Sequence, residues 1–268
     1  MLPPSLIYKK DTVNTLTLAA WLSQVEQDIE TAVSNCTPRE WNEDHISYSW
    51  LHAVTRNLRD VRITDVHLPF AVAWDAYKVD GALEEKHGDI AFLVRLTFPQ
   101  GKTTSGVGFL EAKRVYPNGD YGAIKWEQLD YQASRTANHK VLLYDDQTIP
   151  AAAENLIAQG FCLRCYPKPF HKVKASVVQT HHVIALHCRN RDLNSLSIPL
   201  SYQICCRYLR GFDLDYERAL VQAVESGVVA GIRYLFVAHA VIGTDKMPST
   251  SEITINHQHF RPISADEY

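Results

Sequence analysis

No stretch of this chain is apolar for long enough to cross a bilayer, which takes about 20 consecutive residues. Its opening Met1-Leu2-Pro3-Pro4 lacks the basic segment and apolar core of a secretory signal. Positive charge is not in excess either. The 27 Lys and Arg against 30 Asp and Glu leave a formal charge of -3, so any contact with a polyanion needs a local patch. Internal repeats and low-complexity tracts are missing, and charged residues make up only 21%, which excludes wholesale disorder. The few cysteines (Cys36, Cys162, Cys165, Cys188, Cys205 and Cys206) read as free thiols of a reducing compartment. Together these absences lead us to expect a soluble, cytoplasmic protein with no membrane partner.

What is present is a core. Hydrophobic residues are 46% of the 268, enough for one large domain or a domain with additions. Leu18, Leu22, Val25, Ile29 and Val33 recur at helical spacing, so residues 16–33 read as an amphipathic helix ended by Pro38. A second helix opens at Asn42 as N-cap and carries Ile46, Trp50, Val54 and Leu58 every fourth residue. Residues 69–79, 88–98 and 106–113 read as strands, the last two as a hairpin. Then come a helix over 122–137, a strand over 139–146, a helix over 150–159 and a longer strand over 175–188. Helical segments near 199–210 and 215–226 precede a final strand over 232–242. This order predicts an α/β (α+β) chain with a central mixed β-sheet flanked by helices. We divide it into an N-terminal helical segment (1–40), a core (41–160) and a C-terminal α/β extension (161–268).

The chemistry concentrates in Gly88-Asp89 and in Glu111-Ala112-Lys113. Residues i and i+2 of a strand share a face, so Glu111 and Lys113 stand side by side and Ala112 points away. A solvated ion pair on an edge strand would look the same. Phe109-Leu110 before it, however, marks a buried strand, and Asp89 sits at the mouth of the preceding one. A tight antiparallel pairing brings Asp89 near Glu111. Two close carboxylates repel unless a cation neutralises them, and oxygen donors of this kind suit Mg²⁺, with Mn²⁺ as a substitute. The Ala112 carbonyl is a further candidate ligand, and Lys113 would lie beside metal-bound water. Asp75 and Asp80 compete with Asp89 for the role, but neither opens an apolar strand in the same way.

These residues resemble the PD-(D/E)XK nuclease superfamily over roughly residues 42–145. Glycine stands where the family name has proline. The resemblance implies a restriction-endonuclease-like core, an acid from the helix before the sheet and a glutamine from the helix after the Glu-x-Lys strand. Glu43 fills the first position, with Asp44 as fallback, although both could simply complement the positive helix N-terminus. Gln128 fills the second, with Gln132 as competitor. The implied activity is Mg²⁺-dependent hydrolysis of nucleic-acid phosphodiesters, DNA before RNA, by an endonuclease. In that reading Glu43, Asp89, Glu111 and Ala112 hold the metal, and Lys113, Glu111, Asp89 and Gln128 are catalytic. The resemblance also suggests a prokaryotic role in restriction or anti-phage (antiviral) defence, with a partner protein, and a homodimer for cutting both strands. The alternatives are a nuclease-like nucleic-acid-binding module without catalysis and a zinc-stabilised interaction protein.

The zinc alternative rests on Cys162-x-x-Cys165 with His181, His182, His187 and Cys188. Adjacent residues of a strand point to opposite faces, so core cysteines and strand histidines are the simpler reading. Phosphate contacts would come from Arg164, Lys168, Lys172 and Lys174, in a stretch that continues to Arg189 and Arg191 with no acid and with interleaved aromatics. Pairing of these charges with Asp213, Asp215 and Glu217 is the competing explanation.

Overall fold

The computed structural model describes residues 13–64, 67–79, 87–122, 124–158, 172–228, 231–244 and 246–263. Their element order is β1 (Asn14–Leu16), α1 (Leu18–Asn35), α2 (Glu43–Asn57), β2 (Asp60–Ile63), β3 (Phe70–Val79), β4 (Ile90–Thr97), β5 (Thr103–Arg114), α3 (Trp126–Arg135), β6 (His139–Tyr144) and α4 (Pro150–Ala158). Then follow β7 (Ala175–Gln179), α5 (Thr180–Leu186), β8 (Ile198–Pro199), α6 (Leu200–Tyr202), α7 (Arg218–Ser226), β9 (Tyr234–Ile242) and β10 (Phe260–Pro262). Residues 203–210 continue α6 as a π turn and a 3₁₀ turn.

The mixed α/β class is borne out. Ten strands form one mixed sheet in the order β1-β2-β3-β9-β4-β5-β6-β7-β8, with β10 on β3. β4 and β5 are the expected antiparallel hairpin, with Ile90 opposite Leu110. β9 enters between β3 and β4, antiparallel to the first and parallel to the second. The sheet therefore runs across the sequence boundaries at 40/41 and 160/161, because β1 and β9 pair into it.

Side chains alternate between two faces, and each face has its own cover. On one face Ile90, Phe92, Leu110 and Ala112 join Ile29, Ile46, Trp50 and Leu200 from α1, α2 and α6 in the main core. On the other, Ala91, Val107 and Phe109 pack on Val221 and Val224 of α7, and Val141 and Leu143 pack under Leu129 of α3 and Val183 of α5. Helix α2 forms where its apolar spacing predicts, and the Asn42 side chain accepts from the His45 N–H at 2.8 Å. A capping contact of this kind is worth about 1 kcal/mol. Trp50 is fully buried, so Trp50→Ala would cost about 3–5 kcal/mol.

One expected element changes type. The strand over 175–188 stops at Gln179, and α5 takes over until His187, which is left-handed (φ 48°). An apolar run such as Val183-Ile184-Ala185-Leu186 fits either period. Packing against α3 and β6 decides for the helix. The short strands β1, β2, β8 and β10 had no separate sign in the sequence.

Candidate functional site

Asp89, Glu111 and Lys113 gather at one end of the sheet because β4 begins where β5 ends. The antiparallel register carries Asp89 beside Glu111, and the Asp89 N–H donates to the Leu110 carbonyl at 2.8 Å. Gly88 makes this entry. Its φ is +106°, and a Cβ there would lie 2.6 Å from the Leu110 carbonyl oxygen. Proline is locked near -65°, so glycine is the residue that this geometry admits where the resemblance would have proline.

Asp89 is 5% exposed, Glu111 1% and Lys113 9%. The Asp89 Oδ2 accepts the Ala112 N–H at 2.8 Å. Ala112, expected to offer its carbonyl, thus meets Asp89 through its amide. The Lys113 Nζ donates to Glu111 Oε1 at 2.6 Å. Burial alone would lower the Lys113 pKa, but the neighbouring carboxylates Glu111, Glu43 and Asp89 outweigh it and raise the pKa above the ordinary lysine value. The three expected acids therefore all act on one ammonium.

Glu43 arrives from the opposite face of the sheet. The side chains of Ser47 and Trp50 both bond the Tyr144 hydroxyl, at 2.9 and 2.7 Å, which ties α2 to the end of β6. The N-terminus of α2 then reaches round the strand ends, and Glu43 Oε1 accepts the Arg114 N–H at 3.1 Å. Gly122 keeps the space beside it open: a Cβ there would lie 3.1 Å from Glu43 Oε1 and 3.7 Å from the Lys113 side chain.

Helix α3 covers Glu111 with two glutamines one turn apart. Gln128 donates to Glu111 Oε1 at 3.3 Å, and Gln132 to Oε2 at 2.9 Å. The competitor thus makes the shorter contact, and it is fully buried.

The fallback acid and the rivals have other work. Asp44 accepts the Tyr234 hydroxyl at 2.8 Å and lies 3.6 Å from Lys78. Asp75 pairs with Arg59 at 3.0 Å and bonds Thr250. Asp80 lies outside the described residues. Sequence reasoning missed Arg233. Its Nε lies 3.4 Å from Asp89 Oδ1 and its Nη1 3.8 Å from Asp44 Oδ1. Because β9 is parallel to β4 with Tyr234 opposite Ile90, Arg233 takes the same mouth position as Asp89. The local sign, a charge before the apolar run 234–242, was there, but its neighbour was not legible.

Counting formal charges, Asp89, Glu111 and Glu43 against Lys113 leave the site at -2 before half-exposed Arg233 is added. That excess fits a hard cation with oxygen ligands. Among the described residues, however, no three His, Cys, Asp or Glu side chains form a ready metal shell. Lys113 and Gln128 already bond Glu111 Oε1 and Gln132 bonds Oε2, so of about four lone-pair sites one is left for a divalent ion.

The Cys and His set does not converge as a zinc site among the described residues. Cys162 and Cys165 lie outside them. His181 and His182 stack edge to face on α5 at 4.2 Å, His187 stacks on Trp126 at 4.1 Å, and Cys188 bonds Asn190. Of the basic stretch, Arg164 and Lys168 lie outside the described residues, Lys172 is exposed and Lys174 half-buried. Arg191 grips Asp145 through two bonds of 2.8 Å, and Arg189 lies 3.5 Å from Asp120. These acids, rather than Asp213, Asp215 and Glu217, answer the end of the stretch. No protein-family model, curated protein or solved structure matches the chain.

Proposed function

We propose that the chain is a metal-dependent nuclease that hydrolyses phosphodiester bonds of nucleic acid, DNA in the first place, endonucleolytically. The observation that carries this reading is the gathering of four charged groups at one sheet end: Lys113 donates to Glu111 at 2.6 Å, Asp89 accepts the Ala112 N–H and Glu43 accepts the Arg114 N–H. Asp89 and Glu111 would hold Mg²⁺, with Glu43 as a further or water-mediated ligand. Bound there, the ion would supply an activated water and neutralise charge on the phosphate. Lys113 steadies the attacking water or the negative charge that develops on the phosphate oxygens. Gln132 and Gln128 keep Glu111 in one rotamer, and Arg233 offers a guanidinium to the phosphate at the lip.

Cleavage of plasmid and single-stranded DNA with Mg²⁺, Mn²⁺ or a chelator tests the proposal. Divalent-dependent cutting by the wild type and its loss in a folded Lys113→Ala protein are expected. Cutting by that variant at the wild-type rate would remove the site assignment.

The donors already bonded to Glu111 favour a second reading, a nuclease-like binding module without turnover. Calorimetry separates the two: the module binds nucleic acid with no Mg²⁺ requirement. Restriction or anti-phage defence, a partner protein and a homodimer with two such sites belong to the first reading by analogy with the family it resembles.

A further inference from the structure

On the face of the sheet opposite Glu111 a second charged cluster borders a cavity of about 190 Å³. Lys140 of β6, Gln179 of β7, His182 of α5, Gln203, Arg207 and Asp213 line it. The Lys140 side chain is 2% exposed, and its Nζ lies 3.3 Å from Asp213 Oδ2. Asp213 already holds three other donors. Arg207 donates to both of its oxygens at 2.6 and 2.7 Å, and Gln203 Nε2 adds a bond of 3.0 Å. With Lys140, four donors address a group that has about four lone-pair sites.

Three consequences follow by counting. An ammonium has three donors, and Asp213 at 3.3 Å can take one; the Lys140 Nζ has no other acceptor within reach among the described residues. Gln203 Oε1, also buried, has no donor among them. Lys140 and Arg207 against Asp213 leave these three groups at +1. A buried ammonium short of acceptors is costly, and so is an unbonded amide oxygen. One occupant would relieve all three: a small anion with acceptor oxygens for Lys140 and a hydroxyl for Gln203.

We propose that this cavity is a binding site for a small protonated oxyanion, of which hydrogen phosphate is the simplest, held by Lys140 and Gln203. His182 is exposed and marks the opening. The ligand is either free orthophosphate or the terminal phosphomonoester of an oligonucleotide, which has the same chemistry. The proposal stands apart from the nuclease reading, since it uses none of that site's residues.

Calorimetric titration at neutral pH with orthophosphate tests it, with sulfate as a probe of equal shape that carries no proton. Saturable binding of phosphate, tighter than sulfate, is expected. Lys140→Met should weaken it about tenfold or more, because a charge-assisted contact is lost. Gln179→Glu, at a half-buried position, should weaken it too by adding negative charge, and it serves if Lys140→Met does not fold. Lys113→Met should leave it unchanged. Stronger competition by a 5′-phosphorylated than by an unphosphorylated oligonucleotide assigns the site to chain ends, and equal competition assigns it to the free ion. No saturable phosphate binding, equal sulfate binding, or wild-type affinity in either folded cavity variant would overturn the proposal.

Discussion

The Lys113 ammonium pairs with Glu111, the nearby Glu43 and Asp89 also favour its charge, and Glu111 is only 1% exposed. Lys113→Met removes the cation and leaves a buried carboxylate without its charge partner, which costs on the order of 3–5 kcal/mol. Thermal melts should show a lower Tm without divalent ions, and Mg²⁺ should raise the Tm of the variant more than that of the wild type. Equal responses would mean that the ammonium and a divalent ion do not share Glu111 as a partner. The two glutamines should also differ. Gln132→Ala strips the buried Glu111 Oε2 of its donor and costs about 1–3 kcal/mol. Gln128→Ala loses only a part-buried contact of 3.3 Å. Urea denaturation of both variants should rank Gln132→Ala as the less stable, and the reverse order would remove Gln132 from its place as the main support of Glu111.

At the scale of elements, the site depends on how β4 is entered. Gly88 combines φ +106° with a clash onto the Leu110 carbonyl. Gly101, in the hairpin turn, also has positive φ (+73°) but open space around it. Gly101→Ala should therefore cost about 1 kcal/mol, the conformational part alone. Gly88→Ala should cost well over that and should also displace Asp89, so that under the proposed nuclease function cleavage falls even under conditions where the variant is folded. Chemical denaturation and nuclease assay of the pair separate strain from clash. Equal stability losses would show that β4 shifts freely. Helix α2 poses a similar dependence: Glu43 reaches Arg114 from a helix that Ser47 and Trp50 tie to Tyr144.

Across the whole molecule, stability should vary with pH through Glu26. This residue of α1 is sealed against α6, where Ser201 bonds it, and burial pushes its pKa from 4.5 up to about 7. The folded state then holds a proton that the unfolded state has released, between those two values. Stability falls as pH rises through that window and is flat, as far as Glu26 is concerned, above it. The span corresponds to about 3 kcal/mol. Glu26→Gln carries no titrating group, so its Tm should lose this slope and exceed that of the wild type at pH 8. An unaltered Tm–pH curve in the variant would show that Glu26 is not the group responsible.

The period-2 alternation around Asp89 and Glu111-Ala112-Lys113, with a short turn between, made the hairpin and its acid-lysine face legible in the sequence. So did the helical spacing that begins at Glu43, because all of these are local patterns repeated over several residues. The π and 3₁₀ turns after α6, and the change from strand to helix at Thr180, were not legible, since a short apolar run fits both periods until packing selects one. Nor was Arg233. A parallel pairing between β4 and β9 obeys no local rule, because the two strands are far apart in the chain and only burial of both faces brings them together. The same holds for Lys140, Gln203, Arg207 and Asp213. Their types were visible as ordinary charged and polar residues. Only the tertiary structure decided that one carboxylate would face two cations under cover, where each missing hydrogen bond has a cost.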